Sequence, residues 1–255
     1  MGSLISILVF QPQKRTFDQD TENDVYIPTK HGVQILVKSI IKDESYLYMI
    51  ISHGNSEDVR NVYDDWATKY AQNVLNVNLI MYEYTGYEKK DEIQPSEKYC
   101  YDDIEAVYKY LTENLKVLPE RIIAFGRSVG SGPSCYLAEK YKNIGGLILN
   151  CGFMSAYRVV FNFRFTLPGD VFPNIDRMKN ITCPVCVIHS IKDEIIPFYH
   201  GKELYKAAKN KFDPLYIDGT GHNNIDRISD DVFRHMSKFF KFIDSDYKDE
   251  FKQNI

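Results

Sequence analysis

RIIAFGRSVGSGPSCYLAEKY, residues 121–141, is the stretch that decides the fold. Its apolar start, Ile122 to Phe125, is typical of a buried strand, and a helix-compatible segment begins at Val129. Between them lies G-x-S-x-G, with Ser128 at its centre. On such a turn the serine is held in strained backbone geometry above the sheet, and glycines let strand and helix pass closely. The following helix N-terminus favours negative charge at the same point, so Ser128 is a candidate nucleophile.

Strands and helices alternate on both sides of this stretch. The predicted strands start at Tyr26 and continue as 33–41, 46–52, 77–84, 122–125, 145–150, 184–190 and 214–217, and helical patterns cover 59–72, 96–115, 198–210 and 230–243. This order predicts an α/β fold with a mostly parallel central sheet flanked by helices.

Residues 151–180 interrupt the alternation and predict a short cap after the sixth strand. Prolines and glycines break the segment, yet it is rich in aromatic rings. These rings either line an apolar groove or pack on the core. They are Phe153, Tyr157, Phe161, Phe163, Phe165 and Phe172.

The composition is that of one globular domain of 255 residues, 44% apolar and 26% charged. We assign residues 25–243 to this domain, 1–24 to an N-terminal acylation or targeting segment with a linker, and 244–255 to a charged tail. A net charge of -4 provides no basic field for a nucleic-acid backbone, so nucleic acid is not an expected partner.

Five cysteines, an odd number, favour reduced thiols in a cytoplasmic-type compartment over a disulfide framework. Cys183-Pro-Val-Cys186 has redox spacing. It opens an apolar strand instead of capping a helix, which favours a structural role.

The start Met1-Gly2-Ser3-Leu4-Ile5-Ser6 fits the M-G-x-x-x-[ST] pattern, which predicts N-myristoylation at Gly2. The alternative is chance or an expression-vector start. One myristoyl chain binds a membrane only marginally, so a second signal is needed. Lys14, Arg15 and the apolar run from Leu4 to Phe10 are the local candidates. We expect a peripheral protein at the cytoplasmic face of a membrane.

Three side chains fall at the carboxyl ends of separate predicted strands: Ser128, Asp193 and His222. Their order along the chain, serine, acid, histidine, is that of G-x-S-x-G hydrolases. A serine hydroxyl is too weakly acidic to attack alone. A neutral imidazole must take its proton, and a carboxylate must orient the imidazole.

Other residues compete for two of these roles. His189 lies inside a strand, His200 starts a helix, and His53 in its loop is more typical of a structural residue, so His222 in a Gly-flanked loop is preferred. For the acid, Asp193 is favoured by its strand-end position. Its competitors are Glu194, Asp218 and Asp226.

The oxyanion donors are predicted to be backbone N–H groups. One belongs to Val129, directly after the nucleophile, and the other to the loop 53–55, with Asn55 preferred.

Six motifs occur in order between Tyr26 and Ile243: S-H-G-N (52–55), Y-E-Y-T-G-Y (82–87), F-G-R-S-V-G (125–130), F-P-N-I-D (172–176), D-E-I-I-P-F-Y-H-G (193–201) and G-T-G-H-N (219–223). Together they resemble the alpha/beta-hydrolase-domain-containing protein 17 family, membrane-associated serine hydrolases that remove palmitate from S-acylated proteins. The resemblance implies Ser128 as nucleophile, Asp193 as acid and His222 as base.

The chain departs from that family's pattern at Glu88, Ser190 and Asn224, and it carries the Gly2 start in place of an N-terminal cysteine cluster. Neither a cofactor nor a metal ion is expected. The preferred hypothesis is hydrolysis of acyl thioesters, with an S-acylated protein as substrate. A lipid esterase acting on lysophospholipids or monoacylglycerols, and a non-catalytic acyl-binding or scaffold protein, are the alternatives.

Overall fold

The computed structural model describes residues 9–12, 24–42, 47–71, 75–88, 93–161, 165–225 and 230–244. Within them, eight strands form one sheet in the order β1-β2-β4-β3-β5-β6-β7-β8. The last six strands in this order, from β4 to β8, run parallel to one another, whereas the β1–β2 and β2–β4 pairs are antiparallel. The strands are β1 (Val25–Pro28), β2 (Gln34–Ile40), β3 (Tyr48–Ser52), β4 (Asn78–Tyr82), β5 (Ile122–Arg127), β6 (Gly146–Asn150), β7 (Val185–Ser190) and β8 (Leu215–Ile217).

Seven α-helices of the described chain flank this sheet, which confirms the predicted fold class. They are α1 (Val59–Ala71), α2 (Glu97–Lys109), α3 (Ser131–Lys140), α4 (Ala156–Val160), α5 (Asn174–Met178), α6 (Tyr199–Ala207) and α7 (Asp230–Ile243). The hydroxyl of Ser96 caps α2 by accepting from the N–H of Tyr99, one of the backbone donors that the first turn of a helix leaves without a partner.

Side chains of the parallel strands alternate between two apolar layers, because successive residues of a strand point to opposite faces. In β3, Ile50 packs into the layer of α2 and α3, whereas Met49 and Ile51 pack into the layer of α1 and α7. All five residues of β3 are buried. Burial on both faces explains why the strand reads as a continuous apolar run.

The antiparallel edge follows from the short connection between β1 and β2. A turn of five residues cannot hold a crossover, so the second strand must return alongside the first. Gly32 in this turn has φ +77°, a left-handed conformation that glycine adopts without strain.

The cap connects β6 to β7 and contains the short helices α4 and α5. Phe172 is buried where its ring fills the space that a side chain on Gly132 of α3 would need. Asn174 donates to the Ser131 hydroxyl at 3.1 Å and to the Phe153 carbonyl at 3.0 Å. The cap is thereby attached to the start of α3.

Residues 9–12 pack on the α/β domain. Phe10 is buried, with its ring centroid 5.8 Å from that of Phe172, and the Gln11 N–H donates to the Asn55 side chain at 2.7 Å. This part of the N-terminal segment therefore belongs to the folded unit. Gly2 and its predicted acylation lie outside the described residues.

All five cysteines are buried free thiols, as predicted. Burial raises the pKa of Cys183 to about 12 and raises that of Cys186 further, so neither thiol of the C-x-x-C is activated. Among the described helices, none combines the length and the apolar character that crossing a bilayer requires.

Candidate active site

Ser128 sits on the sharp turn between β5 and α3. Its φ is +51°, a left-handed conformation that costs free energy for any residue with a side chain. Two glycines make the turn possible. A Cβ on Gly126 would lie 2.5 Å from the Gly130 carbonyl oxygen, and a Cβ on Gly130 would lie 2.6 Å from the Ser52 carbonyl carbon. The spacing of G-x-S-x-G is therefore a steric requirement of this turn.

The structure brings the three predicted side chains together. Ser128 Oγ lies 3.0 Å from His222 Nε2, and His222 Nδ1 lies 2.7 Å from Asp193 Oδ2. A carboxylate can only accept hydrogen bonds, so Nδ1 carries the proton and Nε2 is left to accept from the serine hydroxyl. This arrangement has the geometry of a nucleophile, a base and an orienting acid.

Asp193 is held in its ionised form. Burial alone would raise its pKa, but the hydrogen bond and charge of His222 and two backbone N–H groups outweigh burial and lower the pKa below its ordinary value. The N–H groups of Ile195 and Ile196 donate to Oδ1 at 2.9 and 2.7 Å. Oδ1 and Oδ2 therefore have separate tasks, one anchored to the loop and the other directed at the imidazole.

Two of the three competing acids, Glu194 and Asp218, are engaged elsewhere. Glu194 Oε2 accepts from the backbone N–H of His222 at 3.0 Å, so it holds the main chain of the base and not its ring. Asp218 lies at the surface and pairs with Lys192 at 3.1 Å. Asp226 lies outside the described residues.

The competing histidines are also occupied. His189 Nε2 donates to the Ile196 carbonyl at 3.0 Å, and burial lowers the pKa of His189. His200 Nδ1 accepts from the Met154 N–H at 3.1 Å, and burial lowers the pKa of His200 to about 4. Both are neutral structural histidines at neutral pH.

His53 is a buried structural residue, as its loop position indicates. Its Nε2 lies 3.0 Å from Glu83 Oε1, and its Nδ1 lies 2.8 Å from the Gly54 carbonyl. Burial alone would lower the pKa of His53, but the Glu83 carboxylate outweighs it and the pKa is raised. This pair fixes the start of the loop that carries Asn55.

Asn55 and Val129 line the same cleft as Ser128, where the predicted oxyanion donors must lie. The side chain of Asn55 accepts from Tyr87 Oη at 2.8 Å and from the Gln11 N–H at 2.7 Å. These bonds fix the residue in place. The role of the two backbone N–H groups stays a prediction.

The cleft at Ser128 has a volume of about 280 Å³ and a mainly apolar lining. Of the cap's aromatic residues, Phe153, Tyr157 and Phe161 line it, whereas Phe172 packs in the core and Phe165 is exposed. Phe163 lies outside the described residues. Some rings of the cap therefore line an apolar cleft and another packs on the core, so each of the two predicted alternatives holds for different rings.

Ser190 and Asn224, two positions at which the chain departs from the pattern it resembles, stabilise the loop that carries His222. The Ser190 hydroxyl donates to the carbonyl of Thr220, and Asn224 Oδ1 accepts from the Gly221 N–H at 2.6 Å. Each substitution provides a local hydrogen bond beside His222.

Only one grouping of potential metal ligands occurs in the described part of the chain, formed by Cys151, His189 and Asp193 within 4.8 Å. Both oxygens of Asp193 already accept hydrogen bonds, and His189 Nε2 donates to a carbonyl. The Asp193 carboxylate and His189 Nε2 are therefore already engaged in the triad and its support.

Sequence reasoning missed Arg127 and Glu57. Arg127 Nη1 donates to Glu57 Oε1 at 2.6 Å, and Nη2 donates to the His222 carbonyl at 3.2 Å. The position of Arg127 inside G-x-S-x-G was the available signal. Glu57 gave none, because its partner lies 70 residues away along the chain.

Solved structures share this fold. The Pyrococcus furiosus esterase Pf2001 matches with a TM-score of 0.67 and 18% identity, over 86% of this chain and 91% of its own. Est1E from Butyrivibrio proteoclasticus matches with a TM-score of 0.63 and 16% identity, over 86% and 99%. The fold and the site together define an α/β hydrolase.

Curated relatives narrow this class. Alpha/beta hydrolase domain-containing protein 17C of Xenopus laevis is 37% identical over 182 residues, which are 70% of this chain and 56% of the relative. The human 17B protein is 35% identical over 179 residues, 70% of this chain and 61% of the relative. The chain belongs to the alpha/beta hydrolase domain-containing protein 17 family.

The chain spans little more than half the length of these curated relatives. No protein-family model matches it.

Proposed function

We propose that this protein is a serine hydrolase that cleaves acyl thioesters and removes palmitate from S-acylated proteins. The observation that carries the proposal is the hydrogen-bonded series Ser128, His222, Asp193, with the serine opening onto an apolar cleft. Such a cleft suits an acyl chain, and the series suits attack on the carbonyl at its end.

In the proposed reaction, Ser128 Oγ attacks the thioester carbonyl while His222 Nε2 takes the hydroxyl proton. The N–H groups of Val129 and Asn55 stabilise the oxyanion, and Asp193 stabilises the imidazolium. The C–S bond then breaks, and His222 returns its proton to the departing thiolate. Water, deprotonated by the same histidine, attacks the acyl-enzyme and releases the fatty acid and free Ser128.

The cleft wall favours a long acyl chain. Val159, Val160 and Ile195 line it together with the aromatic residues of the cap. Each methylene group that such a wall buries contributes about 0.8 kcal/mol. An extended aliphatic chain therefore gains affinity with each carbon that the cleft accommodates.

The proposed location is the cytoplasmic face of a membrane, with the N-terminus as anchor. The pattern at Gly2 supports it, as does the position of Val9, which follows that segment and lines the cleft. An anchor attached there would bring the acyl cleft towards lipid-bound substrates.

The test is mass spectrometry of the protein after incubation with a palmitoyl-cysteine peptide. Wild type should release free thiol and carry a palmitoyl adduct on Ser128, and Ser128→Ala should do neither. Ser134→Ala, another buried serine in α3, is the matched control and should retain activity.

Two results would redirect the proposal. Turnover of a lysophospholipid without turnover of the peptide would make the protein a lipid esterase. If wild type also failed to react with a fluorophosphonate, the protein would be a non-catalytic acyl-binding member of the fold.

A further inference from the structure

We propose that Arg127 and Glu57 act as one positioning pair, which holds the base and the oxyanion loop in register with the nucleophile. The inference rests on the proposed serine-hydrolase function. Neither residue touches the reacting atoms; both act through the main chain of the residues that do.

Arg127 is the last residue of β5 and directly precedes Ser128. Its guanidinium donates to acceptors on two other loops. Nη1 reaches Glu57 Oε1 at 2.6 Å, and Nη2 reaches the His222 carbonyl at 3.2 Å and Asn223 Oδ1 at 3.4 Å. The side chain therefore ties the strand that carries the nucleophile to the loop that carries the base.

Glu57 extends this tie to the oxyanion loop. Its Oε1 accepts from Arg127, and its Oε2 accepts from the backbone N–H of Gly54, the residue before Asn55. The packing is close, since a Cβ on Gly54 would lie 2.5 Å from Arg127 Nη1 and 2.9 Å from Glu57 Oε2. Only glycine lets the backbone approach the ion pair this closely.

His222 depends on such ties because it lies in a loop, outside any strand or helix. Its backbone is held from both sides: Glu194 accepts from the N–H at 3.0 Å, and Arg127 donates to the carbonyl at 3.2 Å. The 3.0 Å separation between Ser128 Oγ and His222 Nε2 is fixed by these main-chain contacts together with Asp193. A displacement of the base by 1 Å is enough to slow such a reaction about 100-fold.

The pair is partly shielded from water, because the Arg127 and Glu57 side chains are only 13% and 29% exposed. Loss of one partner therefore costs some stability as well as rate. The variants are compared well below their unfolding temperatures, where the rate reports the geometry of the site and not the folded fraction. Lysine cannot replace arginine, because one ammonium lacks the planar fork that reaches Glu57 and the His222 carbonyl at once.

The test compares Arg127→Met, Arg127→Lys, Glu57→Gln and the double variant Arg127→Met/Glu57→Gln in hydrolysis of the palmitoyl-cysteine peptide. We expect Arg127→Met to lower kcat by about 10- to 100-fold with KM changed less than about threefold. Arg127→Lys should recover only part of the rate. The double variant should be no slower than Arg127→Met, because the first substitution already breaks the pair and the second removes nothing further.

Arg177→Met is the matched control. Arg177 forms an ion pair with Glu139 at a similar exposure, 19% and 24%, and its other polar partner is Tyr101. Its removal should leave kcat within about twofold. A kcat within twofold of wild type for Arg127→Met, or losses that multiply in the double variant, would overturn the proposal.

A second measurement keeps this test separate from the proposed function. In protein with isotope-labelled histidines, the His222 ring signals, identified by their loss in His222→Gln, should shift or broaden in Arg127→Met and in Glu57→Gln but not in Arg177→Met. If wild type hydrolyses no thioester, the substrate assignment fails while this readout still tests the positioning pair. Unchanged His222 signals in Arg127→Met would refute the pair whatever the substrate.

Discussion

Replacing Asp193 by asparagine tests the triad most sharply, because the loop dictates how the new amide must lie. Two N–H groups, of Ile195 and Ile196, donate to Oδ1 at 2.9 and 2.7 Å. An asparagine must place its carbonyl oxygen there, since an NH₂ group would face two donors. The NH₂ group then takes the place of Oδ2, 2.7 Å from His222 Nδ1.

This orientation imposes the wrong tautomer on the base. With a donor facing Nδ1, that nitrogen must accept, so the proton moves to Nε2 and points at Ser128 Oγ. A protonated Nε2 cannot take the hydroxyl proton. The matching change in other Ser-His-Asp enzymes lowers kcat by about 10⁴, which corresponds to about 5.5 kcal/mol of transition-state stabilisation.

The assay is thioester hydrolysis at neutral pH, with the rate of fluorophosphonate labelling of Ser128 as a second readout. Asp218→Asn, an exposed acid in a nearby loop, is the control and should react at the wild-type rate. If Asp193→Asn kept more than about a tenth of the wild-type kcat, the tautomer argument would be refuted.

The same variant has a pH signature in stability. The folded-state pKa of Asp193 is lowered, so its ionised form adds stability above its ordinary range near 3.8. That contribution disappears as pH falls through the folded pKa. The free energy of unfolding, measured in urea, should therefore fall more steeply with decreasing pH for wild type than for Asp193→Asn. Equal slopes in the acid range would contradict the lowered pKa of Asp193.

Three further predictions concern the turn, a buried acid and the N-terminal segment. Gly130→Ala places a Cβ 2.6 Å from the Ser52 carbonyl carbon and should abolish labelling and cost several kcal/mol in urea unfolding, whereas Gly32→Ala, with open space around it, should cost about 1 kcal/mol. Burial raises the pKa of Asp103 to about 7, so wild type should lose about 4 kcal/mol of stability between pH 4 and 7, and Asp103→Asn should not show this slope; equal slopes would refute it. Phe10→Ala should cost about 3 kcal/mol in urea unfolding, because it removes a buried ring that packs on Phe172, while Phe165→Ala at an exposed site should change stability by less than about 0.5 kcal/mol.

The strands and helices could be predicted from the sequence because each depends mainly on residues close together in the chain. Continuous apolar runs such as β3 and β5 mark strands buried on both faces, and the glycines around Ser128 satisfy a steric need within five residues. The Gly-flanked loop of His222 and the strand-end position of Asp193 can be read the same way. Each of these signals lies within a few neighbours in the chain.

Choices among equivalent residues required the tertiary structure. Asp193 and Glu194 are adjacent in sequence, yet one orients the imidazole of His222 and the other holds its backbone N–H. The difference arises because the loop directs their side chains to opposite ends of the same residue. Neither the hydrophobic periodicity nor the composition of the sequence shows in which direction each of these side chains points.

By itself, the sequence determined the α/β fold, the strained turn and the three residue types that acyl transfer needs. Only the tertiary structure decided that Phe10 packs against Phe172 and that Glu57 pairs with Arg127 across 70 residues. It also decided which cap rings face the cleft. These contacts join segments far apart in the chain, so they exist only after the sheet has set the positions of its loops.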